Sequence, residues 1–227
     1  MQTHIMLSRT ACSLILALVL AVFTSSARAG GGNVLPATAK PRGYSLSDMA
    51  KATAFFNTTM FTRTPADAPD TPFQILYVPQ DNNLTFEVRP GTMFYVPILT
   101  LDDTPLVAGD FPNVNDRPAV LYYVYSQNEI GNAYIKIVVD GTVHSLGSDY
   151  VVGVGPVKLN DAGTPLGSGN AGLRIGNYIV FAAFLTPLNK GTHTVEIQGN
   201  SNGAALIPFF PPNGVWQFTI SYTVIVR

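Results

Sequence analysis

The stretch Asn177-Tyr178-Ile179-Val180-Phe181-Ala182-Ala183-Phe184-Leu185 decides the fold class. Tyr, Ile, Val and Phe dominate it, the side chains that fit a pleated, half-buried surface. Apolar residues fall at odd and even positions alike, so the run is apolar on both faces. Two further runs, residues 119–125 and 133–139, are as rich in Val, Ile and Tyr. Turn signals separate such runs about every ten residues, the spacing of an all-β sandwich. An outer-membrane barrel is the competing β architecture. It needs segments of even length that alternate strictly, whereas these runs vary in length and several are apolar on both faces.

Working outward, the same pattern extends in both directions. Upstream, residues 73–78 and 84–89 are short strand candidates around the turn cluster Pro79-Gln80-Asp81-Asn82-Asn83. Arg89-Pro90-Gly91-Thr92 places Pro and Gly where a type II turn needs them. Residues 93–99 follow as a strand with Phe94, Val96 and Ile98 on one side. Residues 101–118 read as a long polar loop and residues 153–176 as a glycine-rich, turn-rich segment. Asp140-Gly141 marks a tight hairpin into residues 142–146. Residues 192–198 alternate as a strand, and residues 215–226 form a long last one.

Ahead of the β region stands one helix. Ser45 caps residues 45–56, with Asp48 three residues on as in a capping box. Leu46, Met49, Thr53 and Phe56 share one face. Further back, Arg9, an apolar run from Ala11 to Phe23 and Ala27-Arg28-Ala29 form the three parts of a secretory signal peptide. The expected organisation is a signal peptide (1–29), a flexible lead-in (30–44), a helix and loop (45–72) and a β-sandwich domain (73–227). The fold class expected is all-β: a secreted β-sandwich, immunoglobulin-like or jelly-roll, with a small N-terminal helix.

Composition removes several chemistries. Cys12 is the only cysteine and leaves with the leader, so no disulfide, thiol nucleophile or thiolate metal site is expected. Charged residues make up 12 %, about half the usual share. Loss of Arg9 and Arg28 takes the formal charge from -1 to -3. There is no basic patch to neutralise phosphates, so no nucleic-acid partner is expected. No other apolar stretch approaches the ~18 residues of a spanning helix, so the mature chain is expected to have no transmembrane segment. A secreted or periplasmic location follows from cleavage near Ala29.

Two motifs match by letter but lack their context. Gly167-Ser168-Gly169-Asn170-Ala171-Gly172 spells the dinucleotide fingerprint, yet a strand rather than a helix follows it. Gly199-Asn200-Ser201-Asn202-Gly203 spells the serine-hydrolase elbow, yet three prolines between residues 204 and 212 deny it the helix that strains the serine. His193 shares a strand face with Val195 and Ile197 and is expected to bond a backbone carbonyl, while His144 follows a turn and is expected on the surface.

The candidate ligand-binding residues are Asp102, Asp103, Asp110, Asp116 and Trp216. Four aspartates within fifteen residues are the oxygen donors that a hard cation takes, but the spacing matches no EF-hand, and neither a metal nor a cofactor is expected. A carboxylate pair could also serve glycoside cleavage. Trp216, with Tyr122, Tyr123, Tyr125, Tyr178 and Tyr222, is a candidate stacking platform for sugar rings.

The segment Leu185-Thr186-Pro187-Leu188-Asn189-Lys190-Gly191-Thr192-His193-Thr194-Val195 resembles an L-x-P-L-x-x-G-x-H-T-V segment of uncharacterised secreted bacterial β-sandwich proteins. Pro90-Gly91-Thr92-Met93-Phe94-Tyr95-Val96-Pro97-Ile98 is similar to their P-G-x-x-F-Y-x-P-I hairpin. The resemblance implies a β fold and no known activity. The function expected is a non-catalytic extracytoplasmic protein that binds a glycan or envelope component. A polysaccharide-acting hydrolase or lyase using loop carboxylates, and a structural or assembly subunit, are the alternatives.

Overall fold

The computed structural model describes residues 34–59, 62–104, 108–161 and 172–227. The expected leader, the start of the lead-in and most of the Gly167–Gly172 motif lie outside the described residues.

Helix α1 spans Leu46–Thr58 and begins as its capping box dictates. The Ser45 hydroxyl accepts from the Asp48 backbone N–H at 3.1 Å, and Asp48 Oδ2 accepts from the Ser45 N–H at 2.9 Å. Those bonds from Ser45 hold the Asp48 carboxyl below its ordinary value. Leu46, Met49, Thr53 and Phe56 are all buried, so the expected apolar face is the packed one. The helix is not strictly N-terminal, because residues 34–45 precede it in an extended and 3-10 path.

The remaining elements are β1 (Phe73–Ile75), β2 (Thr85–Val88), β3 (Met93–Asp102), α2 (Arg117–Tyr125), β4 (Asn132–Val139), β5 (Thr142–Ser145), β6 (Val151–Asn160), β7 (Leu173–Leu185), β8 (Gly191–Ser201) and β9 (Trp216–Val226). Among the described residues they make a four-stranded sheet, ordered β1-β3-β7-β6, and a five-stranded sheet, ordered β2-β9-β8-β4-β5. The β1–β3 and β2–β9 pairs are parallel, and the other pairs are antiparallel.

Burial is arranged in layers. Phe94, Val96, Ile179, Phe181 and Ala183 of the four-stranded sheet meet Ile135, Ile137, Val195, Ile197 and Val224 of the five-stranded sheet in one apolar core. The alternate residues of the four-stranded sheet, Tyr95, Tyr178, Val180, Ala182 and Phe184, pack in a second core with Leu46, Met49, Ala50 and Phe56 of α1. From Tyr178 to Leu185, β7 is therefore covered on both faces, as its unbroken apolar run requires, while Leu173 and Ile175 at its start stand exposed. A polar seam runs through this second core: Asn57 Nδ2 donates to the Tyr178 hydroxyl and to Thr53 Oγ1, both at 3.0 Å. Burial pushes the Tyr178 hydroxyl well above its ordinary pKa.

Several local expectations are corrected. Residues 119–125 form helix α2 rather than a strand. Asp116 supplies the cap, its Oδ1 accepting from the Ala119 N–H at 3.4 Å, and Pro118 sits in the first turn, where its missing N–H costs nothing. Val120, Tyr123 and Val124 then bury at helical spacing, which overrides the β preference of Val and Tyr. The loop expected at 101–118 is shorter, because Leu101 and Asp102 end β3 and Arg117 and Pro118 open α2. Much of the expected glycine-rich turn region, from Gly153 to Asn160, is strand β6. The type II turn at Arg89–Thr92 is present, with Gly91 at φ 81° and the Thr92 N–H bonded to the Arg89 carbonyl at 3.2 Å. It does not close a hairpin, however. It carries the chain from β2 in one sheet to β3 in the other. Among the described residues no helix is long and apolar enough to cross a membrane.

Candidate functional sites

The end of β3 and the start of β7 lie side by side, with Leu101 opposite Ile179 and Asp102 opposite Tyr178. That register brings two sequence candidates onto one arginine. Arg174 Nη2 lies 2.9 Å from Asp102 Oδ1, and Nη1 lies 2.6 Å from Asp103 Oδ1. Asp161, after β6, is 3.4 Å from Arg174 Nε. Asp103 Oδ2 also accepts from the Asn177 N–H at 2.8 Å and from Asn177 Nδ2 at 2.9 Å. Asp102 Oδ1 accepts from the Thr104 N–H at 2.9 Å.

The two carboxyls differ in proton affinity. Burial pushes Asp102 up, and its bonds from Thr104 and Arg174 do not offset that. Burial acts on Asp103 in the same direction, but hydrogen bonds from Arg174 and Asn177 and the guanidinium charge outweigh it and hold Asp103 below its ordinary value. Gly176 lies beneath the pair, where a Cβ would overlap Arg174 Nη1 and Asp103 Oδ1. Arg174, Asn177, Asp161 and Gly176 gave no sequence signal, because their role depends on register across strands.

Asp110 and Asp116 do not join this cluster. Asp116 caps α2, and the Asp110 N–H points toward Glu129 Oε2 at 3.4 Å. Among the described residues no group of three or more His, Cys, Asp or Glu is arranged to hold a metal. His193 bonds a backbone carbonyl as expected, its Nε2 lying 2.8 Å from the Asn189 oxygen. Its Nδ1 also lies 2.7 Å from Asp140 Oδ2, a partner that the sequence separation of 53 concealed. His144 is half-buried rather than exposed. Ser201 is buried within β8 and accepts from Asn132 Nδ2 at 3.3 Å; only a 3-10 turn, Ala204–Leu206, follows it.

The six aromatics do not assemble into one platform. Tyr123, Tyr178 and Tyr222 are core residues, while Tyr122 stands exposed on α2. Trp216 is half-buried at the start of β9. It stacks on Phe210 with centroids 5.9 Å apart and planes 10° apart, and it leans on Phe218 at 5.1 Å. Phe210 belongs to the β8–β9 loop, where Ile207, Phe209, Phe210 and Val215 are all exposed. In the sequence this loop carries only the mark of a helix breaker, the prolines at 208, 211 and 212.

The second face of the five-stranded sheet is polar. Val195, Ile197, Tyr222 and Val224 point to the core, so their neighbours along each strand point to solvent. Register aligns these neighbours into rows across the strands. One row is Gln217, Asn200 and Tyr134; the next is Thr219, Gln198, Lys136 and Ser145; the next is Ser221, Glu196, Val138 and Val143. Thr85, Thr223 and Thr194 make another. Lys136 Nζ lies 4.6 Å over the Tyr134 ring, and Gln198 Nε2 donates to Glu196 Oε1. The four-stranded sheet has no counterpart, because α1 packs on its outer side.

Comparison with known proteins adds little. No family model matches the chain. No curated protein matches it either. Among solved structures, the solution structure of amebosin aligns with 69 % of this chain and 100 % of that one, at 14 % identity and a TM-score of 0.26, too low a similarity to carry a fold or function argument.

Proposed function

We propose that this chain is a non-catalytic binding protein of the extracytoplasmic space and that its ligand is a glycan. In this reading residues 1–29 are a cleaved leader, and the two sheets form a β-sandwich of the immunoglobulin-like or jelly-roll kind. The glycan lies across the outer face of the five-stranded sheet. The observation that carries the reading is the set of rows on that face, built mainly from hydroxyl and amide side chains. Sugar hydroxyls need donors and acceptors in equal measure, and Thr, Ser, Asn and Gln supply both without the desolvation cost of charges. Tyr134 adds a ring on which a sugar can pack, and backing by a packed core keeps the rows in place.

The test is a glycan array on the chain from Gly30 onward, with the double variant Gln198→Ala/Asn200→Ala run in parallel. The reading expects glycans that bind the parent and lose at least about tenfold in affinity with the variant. Equal binding by both proteins would place the ligand elsewhere.

A second reading has one specific observation behind it. Asp102 and Asp103 are neighbouring carboxyls pushed in opposite directions, the pattern of a general acid beside a base. Both, however, already hold the Arg174 guanidinium. Reducing-end release from the array hits distinguishes the readings: release abolished by Asp102→Asn supports a hydrolase, and no release supports the binder.

A further inference from the structure

The β8–β9 loop combines three properties. It is apolar at its tip: residues 207–213 are all exposed, and Ile207, Phe209 and Phe210 are 45 %, 45 % and 38 % exposed. It is uncharged: from Ile197 to Val226 there is no Asp, Glu, Lys, Arg or His. Most of its backbone donors between Ile207 and Gly214 are also removed or satisfied internally. Pro208, Pro211 and Pro212 have no N–H. The Ile207 N–H bonds Ala204 O, those of Phe209 and Phe210 bond Leu206 O, and that of Gly214 bonds Phe210 O.

The loop is also tied to the body of the fold. Leu206 is buried in the core beneath it. The N–H groups of Gly203, Ala204 and Ala205 bond the carbonyls of Ile130, Gln127 and Glu129. Trp216 and Phe210 stack at its base.

From this we infer that the loop tip is a membrane anchor, which inserts Ile207, Phe209 and Phe210 into the boundary between lipid headgroups and acyl chains. A protein partner can answer stray backbone N–H groups with its own carbonyls, so a loop built for one has no need to remove them. Toward the acyl chains acceptors run out, so each donor already removed or satisfied lowers the cost of insertion. The absence of charge serves the same end. Aromatic and aliphatic side chains carried to shallow depth are what interfacial binding requires, and a Trp at the base fits the interfacial level. The chain's negative formal charge adds no attraction to acidic lipids, so the expected surface is a neutral one.

Trp216 is the only tryptophan and reports directly on the event. The experiment titrates the full mature chain with vesicles of phosphatidylcholine alone and with vesicles containing phosphatidylglycerol, at low and high salt. Co-sedimentation and Trp216 emission are read together. The inference predicts co-sedimentation with the neutral vesicles, unaffected by salt, with a blue shift of Trp216 and quenching by tail-brominated lipid. Ile207→Ser/Phe209→Ser, which leaves the Phe210–Trp216 stack in place, should weaken binding at least about tenfold while circular dichroism stays unchanged. No binding to neutral vesicles would overturn the inference. So would binding only to acidic vesicles at low salt, or a variant that binds as well as the parent. Quenching of the parent protein decides the matter even if the variant misfolds. The vesicles carry no sugar, so failure here is separate from failure of the glycan reading.

Discussion

At the scale of single residues, the Asp102–Arg174–Asp103 cluster makes the sharpest predictions. Asp103 accepts from Arg174 and twice from Asn177, so Asp103→Asn turns an acceptor toward donors and should cost about 1–3 kcal/mol in urea unfolding. Asp102→Asn keeps an acceptor for the Thr104 N–H and removes a charge that burial disfavours, so its cost should be much smaller. The pH dependence has opposite signs for the two. The folded state holds Asp103 below its ordinary 3.8, so its contribution is present above that pH and lost as pH falls through the depressed value. The folded state holds Asp102 above 3.8, so its ionisation costs stability, and acidification through the raised value returns it. Unfolding followed from neutral to acid pH should therefore show Asp103→Asn with a flatter loss at the acid end and Asp102→Asn without the gain that precedes it. Gly176→Ala should disturb the same pair by overlap and cost about 1–3 kcal/mol. The two aspartates were legible in the sequence as candidates. Their arginine was not, because nothing local links residue 174 to residues 102 and 103.

At the scale of elements, the chain was most legible where local chemistry and tertiary burial agree. The capping box of α1, the type II turn at Gly91 and the Asp140-Gly141 hairpin all formed as read; Asp140 and Gly141 both take positive φ, at 48° and 84°. Gly141→Ala meets no neighbour within 4 Å, so its cost is backbone strain alone, about 1 kcal/mol. Thermal unfolding should show it as a shift of about 2–4 °C. Helix α2 is the counterexample. Its Val and Tyr residues favour a strand, yet Asp116, Pro118 and the 120, 123, 124 spacing of its buried residues carried the helical signal. Asp116→Ala should cost about 1 kcal/mol by removing that cap. The turn at Gly91 was legible as a turn, but its destination was not: a turn's chemistry sets its shape and leaves open which sheet receives the next strand.

At the scale of the whole molecule, the alternation read in residues 192–198 is that of a strand with one buried and one wet face, a pattern that β4 and β9 share in the structure, and the unbroken run in β7 is that of a strand covered twice. Far-UV circular dichroism of the chain from Gly30 onward should accordingly be dominated by strand. A helix share above about one third would contradict it. The strand order and the layer made by α1 were not legible, because parallel pairs such as β1–β3 and β2–β9 join segments by long-range contact rather than by local turns. The same limit hid the polar rows, which exist only once β4, β8 and β9 are aligned. The most direct test of the account is therefore the glycan array on the chain from Gly30 onward beside Gln198→Ala/Asn200→Ala. Glycans retained by the parent and lost by the variant, with unchanged circular dichroism, are the predicted result; an array with no retained glycan, or one on which the variant matches the parent, would contradict it.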